Sequence, residues 1–165
     1  MSQPGSTAEQ LLGSIYEETV QLFEGMKSAL LESINLTAQE MKNQNDIMLK
    51  QLHQDLEELQ NKLDTKEIKK QMAAKSKELN EKIVERERQT ISTINETWTM
   101  TKNKLNSSYE LAKSTLAEKS SKELEKTFKE VLKGLEKAVA DCIKVIKEYA
   151  KTGKNMINDF LKGIK

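Results

Sequence analysis

Few side chains in this sequence have the type and spacing needed for chemistry. His53 is the single histidine, and Glu57 follows it by one helical turn, so the pair could supply two metal ligands. Zinc and diiron sites need more ligands than this, and the sequence has neither a second histidine nor the Glu-x-x-His pattern of diiron bundles. A glycine-rich phosphate loop is also missing. We therefore expect no metal site, no cofactor and no enzymatic activity.

The other reactive residues point to structure or surface rather than catalysis. Cys142 is the single cysteine, so it cannot form an intrachain disulfide, and it lies within an apolar stripe where a buried thiol is expected. Asn35, Asn95 and Asn106 each begin an N-glycosylation sequon, although helix capping explains these positions equally well. The compartment stays open: secretion is slightly favoured if Met1 is an added start, and a cytoplasmic location otherwise.

The composition predicts helices. Of 165 residues, 32% are charged and only 4% aromatic, with six Gly and one Pro. Chains rich in Glu, Lys, Leu and Ala and poor in turn formers are typical of long helices. Alternating apolar and polar residues, the mark of a strand, are not found. No apolar stretch reaches the length of a transmembrane helix.

Capping boxes divide the chain at regular intervals. A Ser, Thr or Asp followed three residues later by Glu or Gln marks a helix start, and such pairs begin at Thr7, Thr37, Asp64, Thr93 and Ser120. We predict an all-α, up-and-down antiparallel bundle of about five helices; the alternative has four helices, with one very long third helix over residues 65–118. The predicted domains are a flexible lead (1–6), a single bundle (7–152) and a short basic amphipathic segment (153–165), with Gly153 as a helix C-cap.

The fifth predicted helix carries a regular apolar stripe. Its residues alternate in steps of four and three: Leu124, Phe128, Val131, Leu135, Ala138, Cys142, Val145 and Tyr149. On a helical wheel the apolar arc is far wider than a two-stranded coiled-coil seam, which suits a bundle core or a lipid surface. Acidic residues flank this arc, whereas helices that lie on lipid usually place lysines there.

Charge is distributed unevenly along the chain. Residues 1–64 carry 4 basic and 11 acidic side chains (net −7), residues 65–118 carry 11 and 8 (+3), and residues 119–165 carry 12 and 7 (+5). The net charge of +1 argues against nucleic-acid binding. The acidic front can pack against the basic back of the same chain or of another copy. The candidates for contact with an anionic surface are Lys151, Lys154, Lys162 and Lys165.

The Lys/Glu-rich composition and the boundaries at Thr37, Asp64, Thr93 and Ser120 give about five amphipathic helices of similar length. In this the chain resembles the exchangeable apolipoproteins, in particular the insect apolipophorins. The resemblance implies non-enzymatic lipid transport: a closed bundle opens about its loops and lays its apolar faces on a lipid or lipoprotein surface. The residues expected to be buried when closed and lipid- or partner-facing when open are Leu22, Phe23, Met26, Leu52, Leu56, Trp98, Phe128, Leu135, Val139 and Ile146.

Two other functions remain open. The first is a protein-interaction scaffold similar to spectrin-type or syntaxin-type bundles, which binds a helical partner or self-associates. The second is a secreted effector or antigen that docks on a receptor. The segment around Thr90–Thr93 separates the first two functions: a hinge there favours the opening bundle, and an unbroken helix favours the coiled-coil scaffold.

Overall fold

The computed structural model describes the backbone from Pro4 to Ile164 and the side chains from Gln10 to Ile164. Three long helices make up this range: α1 (Pro4–Gln60), α2 (Thr65–Thr115) and α3 (Glu118–Lys162). They pack against one another, and no strand occurs among the described residues. The all-α prediction is confirmed, whereas the count of five helices is wrong. In the four-helix alternative, the long third helix over residues 65–118 corresponds to α2. The first and second predicted helices, however, form one continuous helix, α1.

The predicted boundaries at Thr37 and Thr93 fail because a threonine hydroxyl has two ways to be satisfied near a helix. It can cap a new helix, or it can donate back to the carbonyl four residues earlier inside a continuing one. Thr93 does the second, donating to the Gln89 carbonyl at 3.0 Å, and Thr19 does the same to the Ile15 carbonyl at 2.7 Å. α1 continues through Thr37, and α2 continues through Thr93.

The two real chain reversals are short. Between α1 and α2 the Asp64 carboxylate accepts a hydrogen bond from the Glu67 backbone N–H at 2.9 Å, so the Asp64 cap is real. Between α2 and α3 the Ala117 carbonyl accepts the Ser121 N–H at 2.8 Å, and α3 begins at Glu118. The Ser120 boundary is thus only slightly late. Thr7 lies inside α1, and its side chain falls outside the described range, as do Met1–Gln3 of the predicted lead.

Contacts divide the chain into two compact units. Unit 1 comprises Met1–Ile34 and Asn95–Ala140. Its centre is an aromatic cluster with one ring from each helix. Phe128 of α3 stacks on Tyr109 of α2, with centroids 4.3 Å apart, and tilts against Phe23 of α1 at 5.6 Å. Leu30, Leu105, Leu124 and Leu135 are fully buried around it.

Unit 2 comprises Asn35–Ile94 and Asp141–Lys165. Here α1 and α2 run antiparallel, since Asn45 contacts Arg86 while Leu59, further along α1, shares a cavity with Met72. The segments of α1 and α3 run parallel, because Asn45 contacts Tyr149 and His53 contacts Phe160. Its fully buried side chains include Met41, Leu52, Met72, Ile83 and Ile146.

The apolar stripe of α3 departs from strict alternation. Val131, Leu135 and Val139 are all buried, two steps of four in succession. An α-helix has 3.6 rather than 3.5 residues per turn, so an extra step of four corrects the drift of a heptad pattern. The stripe residues buried after Leu135 therefore include Val139, Cys142, Ile146 and Ala150, while the predicted Val145 is 40% exposed and Ala138 and Tyr149 are half-buried.

The C-terminal end of α3 also differs from the prediction. Gly153 is buried inside α3 rather than capping it, and no described glycine has a positive φ. The helix ends instead at Gly163, whose N–H reaches the Asp159 and Phe160 carbonyls. Residues 153–162 therefore continue α3.

Candidate functional site

The two reactive side chains, His53 and Cys142, lie in different surroundings. Among the described residues no group of three or more His, Cys, Asp or Glu could hold a metal, and no helix there is both long and apolar enough to cross a membrane. His53 is exposed, and its ring packs edge-to-face with the Phe160 ring, with the ring centroids 4.3 Å apart. Cys142 is buried, and desolvation raises the pKa of its thiol.

The ten residues expected in the core do not share one environment. Phe23, Leu52, Leu135 and Ile146 have no exposed surface, and Trp98, Phe128 and Val139 are also buried. Met26 and Leu56 are half-buried. Leu22 departs from the expectation, with 47% of its surface exposed, because the buried position beside it is taken by Phe23. Leu22 is therefore available on the surface of the closed bundle.

A polar layer crosses the core of unit 2. Arg86 Nη1 of α2 donates to Asn45 Oδ1 of α1 at 3.0 Å, and Asn45 Nδ2 donates to the Tyr149 carbonyl of α3 at 3.3 Å. Asn45 is only 8% exposed. Gly153 lies against it, since a Cβ there would be 3.1 Å from Asn45 Nδ2. A single buried amide that contacts all three helices fixes their register, because a shifted alignment leaves it unpaired.

An open groove lies between α2 and α3 in unit 2. It has a volume of about 620 Å³, and its apolar lining includes Ala73, Val84 and Leu161. Val84 is 50% exposed. Ser76 and Asn80, one turn apart on α2, also line it, and Ser76 Oγ and Asn80 Oδ1 have no hydrogen-bond partner within the described residues. Ser76 is only 2% exposed, so its hydroxyl is buried without compensation.

The rim of this α2–α3 groove is basic. Lys77 of α2 and Lys154 of α3 line it, with Glu81 as the single lining carboxylate. On a helical wheel Lys66 and Lys70 fall within about 20° of Lys77, and Lys147 and Lys151 within about 60° of Lys154. Among the residues just named, the helix faces that border the groove thus carry six lysines and one glutamate. Such a surface favours an anionic binding partner.

Two of the four lysines predicted to contact an anionic surface lie at or beside this groove. Lys154 lines it and Lys151 lies on the adjoining face of α3, whereas Lys162 is exposed near the end of the helix. Lys165 lies outside the described residues. Sequence reasoning missed the α2 side, namely Ser76, Asn80 and Lys77. The available signal was a pair of polar residues at or beside heptad core positions, Ser76 and Asn80, next to the small Ala73.

A second open groove in unit 2, of about 590 Å³, lies between α1 and α2. Most of its lining residues are polar, among them Glu40, Gln44, Arg86 and Gln89, and the lining also includes Leu36, which is 63% exposed. Arg86 in this lining is already engaged within the chain, because its Nη1 donates to Asn45 Oδ1.

The comparisons with known proteins add no assignment. No protein-family model matches this chain, and no significant match was found among curated proteins or among solved structures.

Proposed function

We propose that this protein is a non-enzymatic interaction module, a closed three-helix scaffold that binds helical polypeptide segments on its surface. The observation that carries this proposal is the continuity of the helices through Thr37 and Thr93. Because α1 is unbroken at Thr37 and α2 is unbroken at Thr93, the chain lacks the hinges that a five-helix opening bundle requires at these positions. The register-fixing contacts of Asn45 add support, because they are lost when the helices separate.

The closed form already offers surfaces for such binding. The α2–α3 groove is open, partly apolar and flanked by two helices, which is the geometry that accepts a further amphipathic helix. Large apolar side chains are also exposed on the helices, among them Leu11, Leu36 and Leu111 at 63%, 63% and 73%. These features need no opening of the core.

Lipid binding by an openable bundle is the second candidate. It is favoured by the lysines beside the α2–α3 groove and by a core with few aromatic rings. In that mechanism the apolar core residues leave their helix–helix contacts and meet lipid, and Lys151 and Lys154 meet anionic headgroups.

One experiment with two arms decides between the candidates. In the first, Trp98 emission and far-UV helicity are followed while anionic or zwitterionic phospholipid vesicles are added. In the second, fluorescence anisotropy measures binding to labelled synthetic amphipathic helices with acidic, neutral or basic flanks. We expect saturable binding to at least one peptide and an unchanged Trp98 spectrum with vesicles. A blue shift with vesicles and no peptide binding would overturn the scaffold in favour of lipid binding.

A further inference from the structure

We propose that the α2–α3 groove of unit 2 binds the acidic N-terminal part of α1 from a second copy of this chain. The inference rests on the proposed scaffold function and names the partner of that surface. Two surfaces support it. They are opposite in charge, both are partly apolar, and neither is engaged by another described part of the same chain.

The groove supplies the first surface. It has a volume of about 620 Å³. Within the described residues its buried Ser76 hydroxyl and Asn80 carbonyl oxygen are unpaired, and its apolar walls at Val84 and Leu161 are at least partly exposed. An occupant with apolar side chains and a polar donor would correct these deficits. The surrounding lysines require that the occupant be acidic, because a basic helix would be repelled along the whole rim.

The second surface lies on α1 in unit 1. Leu11 and Leu22 are 63% and 47% exposed, and their spacing of eleven residues places them within about 20° of each other on the helix. Glu18 and Glu32 fall within about 80° of the same direction, while Lys27 points elsewhere. This face is therefore apolar and acidic, with no basic residue.

The α1 face is also shaped for close approach. Gly25 and Ala29 lie on it between Leu22 and Glu32. A Cβ built on Gly25 meets nothing within 4 Å, so packing inside the chain does not require a glycine there. A glycine costs helix stability, and its small size allows a neighbouring helix to come near. We assign that neighbour to the α2–α3 groove of another molecule.

The experiment is a charge swap followed by light scattering. The groove variant carries Lys77→Glu and Lys154→Glu, and the helix variant carries Glu18→Lys and Glu32→Lys. The control is Lys126→Glu with Lys133→Glu, the same charge change at exposed positions of α3 in unit 1. Molar mass is measured over a range of concentrations at about 50 mM and about 500 mM NaCl, because rim charges are screened by salt.

We expect the unmodified protein to exceed the monomer mass as concentration rises, and to do so less at high salt. Each swap variant alone should associate at least about tenfold more weakly, since like charges then face each other. Mixing the two variants should restore association, because each groove again meets a helix of opposite charge. The control should behave as the unmodified protein, and far-UV helicity should be the same in all samples.

Three results would overturn the inference: a monomer at every concentration, association that the groove and helix variants leave unchanged, or failure of the mixture to regain it. A monomer that still binds acidic peptides in the anisotropy assay would remove self-association and leave the scaffold function standing. A monomer that binds no peptide and shifts its Trp98 emission on vesicles would remove both.

Discussion

Gly153 gives the sharpest test of the packing in unit 2. It lies inside α3, where replacing glycine by alanine usually gains about 0.5–1 kcal/mol of stability through backbone entropy and helix propensity. Here the new methyl would lie 3.1 Å from Asn45 Nδ2 and 3.2 Å from Ile83 Cδ1. Asn45 cannot move away freely, because its amide is held by Arg86 and by the Tyr149 carbonyl.

The magnitude follows from these opposing effects. An extra methyl in a packed core costs about 1–3 kcal/mol, which exceeds the propensity gain. We therefore expect Gly153→Ala to lower the free energy of unfolding by about 1 kcal/mol. Gly134→Ala is the matched control on the same helix, since its Cβ meets nothing within 4 Å. It should raise the free energy by about 0.5–1 kcal/mol.

The assay is equilibrium unfolding in urea followed by far-UV helicity, which reports on the whole chain. The two variants should differ by about 1–3 kcal/mol, with opposite signs relative to the unmodified protein. If Gly153→Ala stabilised the protein as much as Gly134→Ala, the close approach of α3 to Asn45 would be refuted, and with it the role of the polar layer in fixing register.

Three further predictions concern the helix cap, the thiol and an exposed ion pair. Asp64→Ala should lower the free energy of unfolding by about 1 kcal/mol in the same urea assay. Ser120→Ala, at a capping box inside the first turn of α3, should change it by less than about 0.5 kcal/mol. Equal effects of the two variants would contradict the observed helix boundaries. Cys142 should react slowly with a thiol reagent in the native protein and rapidly in urea, because burial raises the pKa of its thiol; fast native labelling would show that the core opens. Lys129 lowers the pKa of Glu125, first through a hydrogen bond and then through its charge. A carboxylate whose pKa is lowered by folding stabilises the protein above the pKa of the unfolded chain, and this stabilisation is lost as pH falls through the lower pKa of the folded protein. Glu125→Gln should therefore flatten the loss of stability below pH 4.5, and the difference from the unmodified protein should disappear in high salt. If the variant lost stability with the same slope as the unmodified protein, this prediction would be refuted.

The sequence predicted the helical class and one true boundary because those depend on local chemistry. Asp64 has no carbonyl-bonding alternative, since an ionised carboxylate only accepts hydrogen bonds, so its capping box marks a real helix start. Thr93 can donate to Gln89 instead, and nothing local decides between the two arrangements. The stretch around Thr90–Thr93, whose Ser and Thr content allowed a hinge, is continuous helix.

The candidate site was less predictable because it depends on alignment between helices. Lys154 could be singled out as basic, but its place on the same groove as Lys77 follows from the antiparallel pairing of α2 and α3, which the pattern of one helix does not contain. The same applies to Leu22. A wide apolar arc includes both Leu22 and Phe23, and only the packing in unit 1 places Phe23 at 0% exposure and leaves Leu22 outside.

The number of chain reversals bears on how this protein can bind. With five helices a bundle can open at one loop and keep part of its core, whereas here the described chain reverses only beside Asp64 and Ala117. Opening at these reversals separates helices of 45 residues or more. Each buried leucine or phenylalanine that loses its helix–helix contacts costs about 1.5–3 kcal/mol until contacts with lipid replace them. Binding in a groove avoids this cost because the core stays packed. The Cys142 thiol therefore distinguishes the mechanisms during binding itself: its reactivity should stay low when a helix enters the α2–α3 groove, and should rise if binding proceeds by opening.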